Sequence, residues 1–361
     1  MNFGMLALAI AVGATFGAFL VGYAIDMFSP RSVLRTILIA YPLSMICLGL
    51  VSDYWLAVAF ASALGVLRGA SDTALNAHGV QVERYYQRPI MSSFHAFFSL
   101  GGFLFGFIAS YLAGFSTESA IIPFTTAGIS LAILGLAASY FMLGKEDLLP
   151  TPEQPSQQTV EGSQIDWGII LLMIVFGVIL VAAMISESSV SDWGQEFLHR
   201  EKGMDISSAG MAISLFTGAG FIARLTGDWV AERIGRSSVL FGSGLASIAG
   251  MLCATFGNEP IWGVVGCALL GAGLACVAPL MLSAAGQKDP ANAGRNVGIV
   301  NGIGFFGMLG GPAIYSLIVT AHGIDALFYM PLVLMAFVTV IAPMAMKSKR
   351  KASLVKASYA L

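Results

Sequence analysis

Charge is the scarcest property of this sequence. Only 11% of its 361 residues are Asp, Glu, Lys or Arg, against 57% apolar ones. A water-soluble fold covers itself with about a quarter charged residues, and this chain lacks the means to do so. Its net charge of −2 gives no basis for a nucleic-acid partner. There are four cysteines, Cys47, Cys253, Cys267 and Cys276, all in apolar stretches and without CxxC or metal-ligand spacing. They read as small apolar residues, so no metal site is expected, and they leave the redox compartment open. The first apolar run lacks the basic segment of a cleavable signal peptide. Nucleotide-binding loops, dinucleotide fingerprints and zinc motifs are missing too, and the GxG run at 271–273 lies in apolar sequence. No cofactor and no enzymatic role are therefore expected. A membrane enzyme would gather catalytic residues at one face, and none gather here.

What the chain has is apolar length. Reading for runs of about 20 apolar residues, the length that crosses a bilayer, gives eleven: 3–25, 33–52, 55–78, 92–114, 119–143, 167–186, 204–230, 237–257, 260–284, 294–318 and 324–346. They are too long and too uniformly apolar for barrel strands, so an all-α membrane protein of about eleven transmembrane helices is expected. The stretch 144–166, rich in Pro, Gln and Glu, has the composition of a linker. It divides an N-terminal bundle, 1–143, from a C-terminal bundle, 167–346, which a basic tail follows at 347–361. Alternate loops are unequal in Lys and Arg. One set carries fourteen, from Arg31 to Lys356, and the other only Arg200 and Lys202. By the positive-inside bias, linker and tail face the cytoplasm.

The two halves match at a constant offset of 206 residues: Asp26 falls on Glu232, Gly65 on Gly271, His95 on Asn301, Gly101 on Gly307 and Ser110 on Ser316. Duplicated halves characterise transporter folds, with a site near the midplane between them. The run 167–186 has no counterpart before Asp26, so the first half is expected to lack its first helix.

The loop after the first run reads G-Y-A-I-D-M-F-S-P-R, from Gly22 to Arg31. Its copy reads D-W-V-A-E-R-I-G-R, from Asp228 to Arg236, preceded by Arg224 and Gly227. Both resemble the G-x-x-x-D-[RK]-x-G-[RK]-[RK] signature of the major facilitator superfamily and its echo in the second half. In the first copy Met27 stands for a basic residue and Ser29 for glycine. The stretches G-A-S-D-T-A-L-N-A-H-G-V-Q-V-E (69–83), S-S-F-H-A-F-F-S-L-G-G (92–102), E-S-S-V-S-D-W (187–193) and R-L-T-G-D (224–228) are similar to a bacterial inner-membrane subgroup near the fucose–proton symporters. The resemblance implies the major facilitator fold, with two helical bundles related by pseudo-two-fold symmetry. It also implies a cytoplasmic latch built from Gly22, Asp26, Arg31, Arg224, Asp228, Glu232, Arg233 and Arg236, in which Asp26 and Glu232 are the acting carboxylates.

Ionisable groups inside spans are costly and mark pathways. Arg68 and Asp72 stand one helical turn apart, and Asn76 continues their face. A carboxylate beside an arginine can take up and release a proton as its surroundings open and close. The fucose–proton relatives carry an acidic residue on the equivalent helix, which favours Asp72 as the proton carrier. His95, Asn301 and Glu187 are placed around the solute path. The competing roles are a static Arg68–Asp72 pair, packing hydrogen bonds for His95 and Asn301, and a solvated loop carboxylate for Glu187.

The expected function is secondary active transport of a small polar solute, a sugar or similar metabolite, across the bacterial inner membrane. Proton coupling, alternating access and a monomeric, lipid-embedded state are expected. Two alternatives are a drug or metabolite efflux pump and a truncated, non-transporting relic or sensor. The loop bias makes a direct prediction. In a background without native cysteines, Gln157→Cys should resist a membrane-impermeant maleimide in intact cells and react after lysis. Labelling of intact cells would contradict the topology.

Overall fold

The computed structural model describes residues 3–113, 121–144 and 166–347. All but the margins of the linker and tail lie outside this set, as does the structure of 114–120. Among the described residues there are thirteen α-helices, two short 3₁₀ turns and no strand. They are α1 (Phe3–Phe28), α2 (Pro30–Leu50), α3 (Tyr54–Tyr86), α4 (Met91–Ala113), α5 (Ile121–Ser139), α6 (Trp167–Ser191), α7 (Gly194–Arg200), α8 (Ile206–Ile234), α9 (Arg236–Phe256), α10 (Pro260–Leu274), α11 (Val277–Lys288), α12 (Ala293–His322) and α13 (Tyr329–Lys347). Nine segments are long and apolar enough to cross a membrane, with α10 and α11 forming one of them. With α4 and the shorter apolar α5, every one of the eleven apolar runs is helical. Large apolar side chains such as Phe16, Leu20, Trp55 and Leu171 are left exposed, which a lipid surrounding accepts.

The helices repeat at the offset seen in the sequence. α2 spans Pro30–Leu50 and α9 spans Arg236–Phe256, 206 residues apart at both ends. α1 ends at Phe28 and α8 at Ile234, again 206 apart. α3 starts at Tyr54 and α10 at Pro260. The helix that the second half has in addition, α6, packs on α11, α12 and α13. In the first half α1 packs on α3, and α2 on α3 and α5; in the second α8 and α9 pack on α10. Between these sets the main contacts are α1 with α12 and α4 with α8.

Small residues set the closeness of these contacts. On α1, Gly13 and Gly17 face the backbone of Ser62 and Val66 on α3. From α3, Gly65 and Gly69 face Ile10 and Ala14 in return. A Cβ on Gly13 would lie 2.5 Å from the Ser62 carbonyl oxygen. The paired G-x-x-x-G spacings are thus what permits backbone-to-backbone packing without a hydrophobic driving force. In the second half Gly250 and Gly266 approach each other the same way, at 2.6–2.7 Å.

Two boundaries differ from the apolar runs. α3 continues to Tyr86, two turns beyond the run that ends at 78. Its added turns are polar but carry Glu83, whose burial is satisfied by partners described below. The span over 260–288 is broken at Ala275 and Cys276. Pro279 is the cause: it has no N–H for the carbonyl four residues back, that of Ala275.

The turn before α2 shows the repeat at the level of backbone angles. Gly235, before α9, has φ 84° and ψ 147°, and its mate Ser29 has φ 95° and ψ 147°. Glycine accepts that conformation freely, whereas an L-residue is strained by about 1–3 kcal/mol. The Ser29 hydroxyl caps Ser32 N only loosely, at 3.5 Å. Ser29→Gly should therefore raise thermal stability in detergent, by about 1 kcal/mol. A loss of stability would show the cap outweighs the strain.

Candidate functional site

The polar chemistry gathers at two levels. The first is the end that carries most of the arginines. Here the first amides of two helices point at carboxylates from across the seam. On α1, Asp26 accepts from Gly294 N and Arg295 N, both at 2.8 Å, at the start of α12. On α8, Asp228 accepts from Ser92 N at 3.0 Å and Ser93 N at 2.6 Å, at the start of α4. Helix N-termini offer unsatisfied N–H groups and a positive dipole end, so each carboxylate is matched in charge and geometry. Close approach is again set by glycine: a Cβ on Gly22 would meet the Gly294 carbonyl oxygen at 2.7 Å.

A third carboxylate joins both halves at this end. Glu83 is 2% exposed. It accepts from Ile90 N at 3.0 Å and Met91 N at 3.3 Å, closing the turn between α3 and α4. From the second half come Gln287 Nε2 at 2.6 Å, Arg236 Nη2 at 3.4 Å and the Ser283 hydroxyl. Its mate at the 206 offset, Asp289, is also buried, but its bonds, to Asn292 and Arg295, stay within the second half.

The second level is near mid-span. Asn301 Nδ2, on α12, donates to Asp72 Oδ2 at 2.8 Å and Thr73 Oγ1 at 2.9 Å, both on α3. Asn76 donates to the Asp72 carbonyl at 2.9 Å and shares a 3.0 Å bond with His95 Nε2 on α4. One turn on, Ser99 donates to the His95 carbonyl at 3.0 Å and accepts Arg224 Nη1, also at 3.0 Å. Arg224 Nη2 lies 3.9 Å from Glu187 Oε1 on α6. A continuous polar path thus runs from Asn301 through Asp72, Asn76, His95, Ser99 and Arg224 to Glu187, crossing the seam twice.

Arg224 has a further task. Its Nε donates to the Ala275 carbonyl at 3.2 Å, the group that Pro279 leaves without a partner. Unsatisfied backbone groups cannot be left in a membrane interior, so this side chain replaces the missing helical hydrogen bond.

The expected residues fare differently. Asp72, Asn76, His95 and Asn301 come together, with Glu187 at the far end of the path. Arg68 does not pair with Asp72: its Nη2 points to Met308 Sδ on α12 at 4.0 Å, and it makes no ion pair among the described residues. Of the expected latch residues, Gly22, Asp26, Asp228 and Arg236 sit at the seam, and Arg31 lies half-buried in the first turn of α2. Glu232 is exposed and has no bond across the seam; Asp228, one turn earlier, stands in its place. Arg233 is stacked on Trp229, 3.8 Å from its ring centre. Arg224 belongs to mid-span. Sequence reasoning missed Ser283 and Gln287, read Glu83 only as an interfacial group near the cytoplasmic end, and gave Ser99 no role. The offset of 206, which places Glu83 on Asp289, was the available signal for Glu83. At the opposite end, the Lys202 ammonium donates to the Thr255 and Gly257 carbonyls at the close of α9. Burial pushes its ammonium below the ordinary lysine range.

The helices, their repeat and the two polar levels define a polytopic membrane protein built from two halves that meet at both levels. A family model of the Major Facilitator Superfamily matches residues 169–360, more than half of the chain, and the chain belongs to that superfamily. An uncharacterised transporter of Sinorhizobium fredii is 28% identical over 342 residues, covering 95% of this chain and 88% of the relative. An uncharacterised transporter of the same superfamily from Yersinia pestis is 29% identical over 338 residues, covering 91% and 82%. The solved structure of the E. coli fucose:proton symporter FucP shares the fold, with a TM-score of 0.74 at 15% identity over 96% of this chain and 91% of that one. The protein is a multi-pass transporter of the bacterial inner membrane, and not an enzyme.

The double role of Arg224 is testable by a mutant cycle in detergent. Arg224→Gln should destabilise by about 1–3 kcal/mol, the range for an orphaned buried partner. Pro279→Ala restores an N–H to Ala275, so the double variant should lose less than the sum, with coupling on the order of 1 kcal/mol. Strict additivity would mean that Arg224 does not serve that carbonyl.

Proposed function

We propose that this protein is a proton-coupled secondary transporter of a small polar solute, working by alternating access around the mid-span cluster. The observation that carries the proposal is the hydrogen bond from Asn301 to Asp72. It joins the two halves at half depth through the only carboxylate on α3 that lies there. A charge at this depth costs roughly 3 kcal/mol or more on insertion scales, and no cationic nitrogen among the described residues lies within the 4.0 Å of an ion pair with Asp72. A neutral amide on one side of the seam satisfies either form of the carboxyl, because Asn301 can donate to the charged form and accept from the protonated one.

The cycle follows from this arrangement. With the arginine-rich end held shut by Asp26, Asp228 and Glu83, the cluster is served from the other side. Proton and solute load there, the halves rock, and the carboxylates release the first amides of α4 and α12 as that end opens. Solute hydroxyls find donors and acceptors in Asn76, His95, Ser99 and Asn301. The cytoplasmic assignment of the arginine-rich end, and so the direction of net uptake, rests on the loop charge bias.

The test uses proteoliposomes and a panel of radiolabelled neutral monosaccharides and their carboxylate derivatives. Asp72→Asn should abolish accumulation driven by a pH gradient yet leave exchange at equal concentrations. A variant that still concentrates solute against its gradient would move the proton site elsewhere.

A further inference from the structure

The charges at mid-span do not pair off. Glu187 faces Arg224 at 3.9 Å, and Arg224 is fixed by Ser99 and Ala275 as well. Asp72 is taken by Asn301. Arg68 remains. It lies midway along α3, reaches across the seam, and meets there only the thioether of Met308, an uncharged and weak acceptor. No carboxylate oxygen among the described residues lies within 4.0 Å of it.

The surrounding helices offer no hidden counter-charge. Tyr41 of α2, an uncharged group, is within electrostatic reach of Arg68 and Asp72, and His95 of α4 is hydrogen-bonded to Asn76. α1 carries its one charge at Asp26, at its end. α12 carries Arg295 in its first turn and His322 at its close, and α11 carries Lys288 in its last turn. With Asp72 ionised, the Asp72–Arg68 pair is neutral as a set although the groups do not touch. With Asp72 protonated, the Arg68 guanidinium is uncompensated at half depth, where charge is most costly. An anion that enters at that moment restores neutrality, and a guanidinium fits a carboxylate in a two-point fork.

We propose that the transported solute is a hydroxylated monocarboxylate of the sugar-acid class. Its carboxylate is held by Arg68, its hydroxyls by Asn76, His95, Ser99 and Asn301, and it moves with the single proton carried on Asp72. This rests on the transport reading above and narrows it. It has a consequence that a neutral solute does not share. One anion with one proton moves no net charge, whereas a neutral sugar with one proton moves a positive charge and responds to membrane potential.

The experiment measures uptake of radiolabelled D-gluconate, D-glucuronate, D-glucose and D-galactose into proteoliposomes of the full chain. A pH gradient is imposed with the potential clamped, and separately a potassium–valinomycin potential without a pH gradient. The expected result is accumulation of one of the acids under the pH gradient and none under the potential alone. Arg68→Gln should raise the half-saturation concentration on the order of 10- to 100-fold, the loss of a charge-assisted contact. Arg68→Lys should recover most of it and controls for folding. Proton-driven uptake of a neutral sugar with exclusion of both acids would overturn this inference and leave the transport reading standing. Potential-driven acid uptake, or an Arg68→Gln variant with unchanged half-saturation, would also overturn it. No accumulation of any of the four would remove the transport reading for hydroxylated solutes and this inference with it.

Discussion

Everything at the arginine-rich end depends on one constraint: the first turn of a helix has N–H groups that its own backbone cannot satisfy. In α12 and α4 those amides are satisfied by Asp26 and Asp228, each from the opposite side of the seam. The partners are charged, and such hydrogen bonds contribute about 1.5–3 kcal/mol each when shielded. At the membrane surface, water can replace the carboxylates once the halves part, so in the proposed cycle the contact favours closure without locking it. Glu83 adds a third tie of the same kind, with side-chain donors from α9 and α11 in place of a helix end. The two aspartate contacts are displaced relative to the 206-residue repeat: the carboxylate moves four residues earlier along its helix and the amides four residues later along theirs, one turn each. Asp228 is the mate of Gly22, and Ser92 the mate of Gly298.

Mid-span obeys a harsher version of the same rule. No water stands ready to satisfy backbone there. Pro279 breaks a helix at that depth, and the freed Ala275 carbonyl draws the Arg224 guanidinium into the centre. Once there, Arg224 organises Ser99 and Glu187, and through Ser99 it touches the His95–Asn76–Asp72 path. A backbone defect thus fixes the position of a side chain on the proposed solute path. Glycines on α1 and α3 hold the first half close enough for Asp72 to reach Asn301 across the seam.

The fold was largely legible in the sequence. Apolar runs of spanning length fix the helices because lipid permits no other spanning backbone for such runs, and the 206-residue offset carried the pairing of halves down to the φ of Ser29 and Gly235. The association of Asp72, Asn76, His95 and Asn301 was legible for the same reason, since polar residues in apolar helices must find one another. What was hidden turned on single helical turns and on tertiary distance. Glu232 occupies the motif position, but the helix presents Asp228 to α4 instead. Arg224 sits beside the motif in sequence, yet a proline 55 positions later decides where its side chain goes. Arg68 and Asp72 have the spacing of a helical ion pair, but their neighbours draw them apart: Asn301 holds the carboxylate, and the guanidinium extends toward α12. Glu83 lies past the end of an apolar run, where solvent is the natural expectation, and only the packing of α9 and α11 buries it.

In the proposed cycle Asp26 and Asp228, capping helices across the seam, hold one end shut. Spin labels at Phe28→Cys and Ile234→Cys, exposed mates at the ends of α1 and α8, would report the opening of that end by pulsed electron resonance in lipid nanodiscs. The native cysteines are first replaced. The account predicts a single short distance population in the parent. It predicts a second, longer one when Asp26→Asn and Asp228→Asn are combined, and no change with Glu232→Gln. An unchanged distribution in the double variant, or an opening caused by Glu232→Gln, would contradict it.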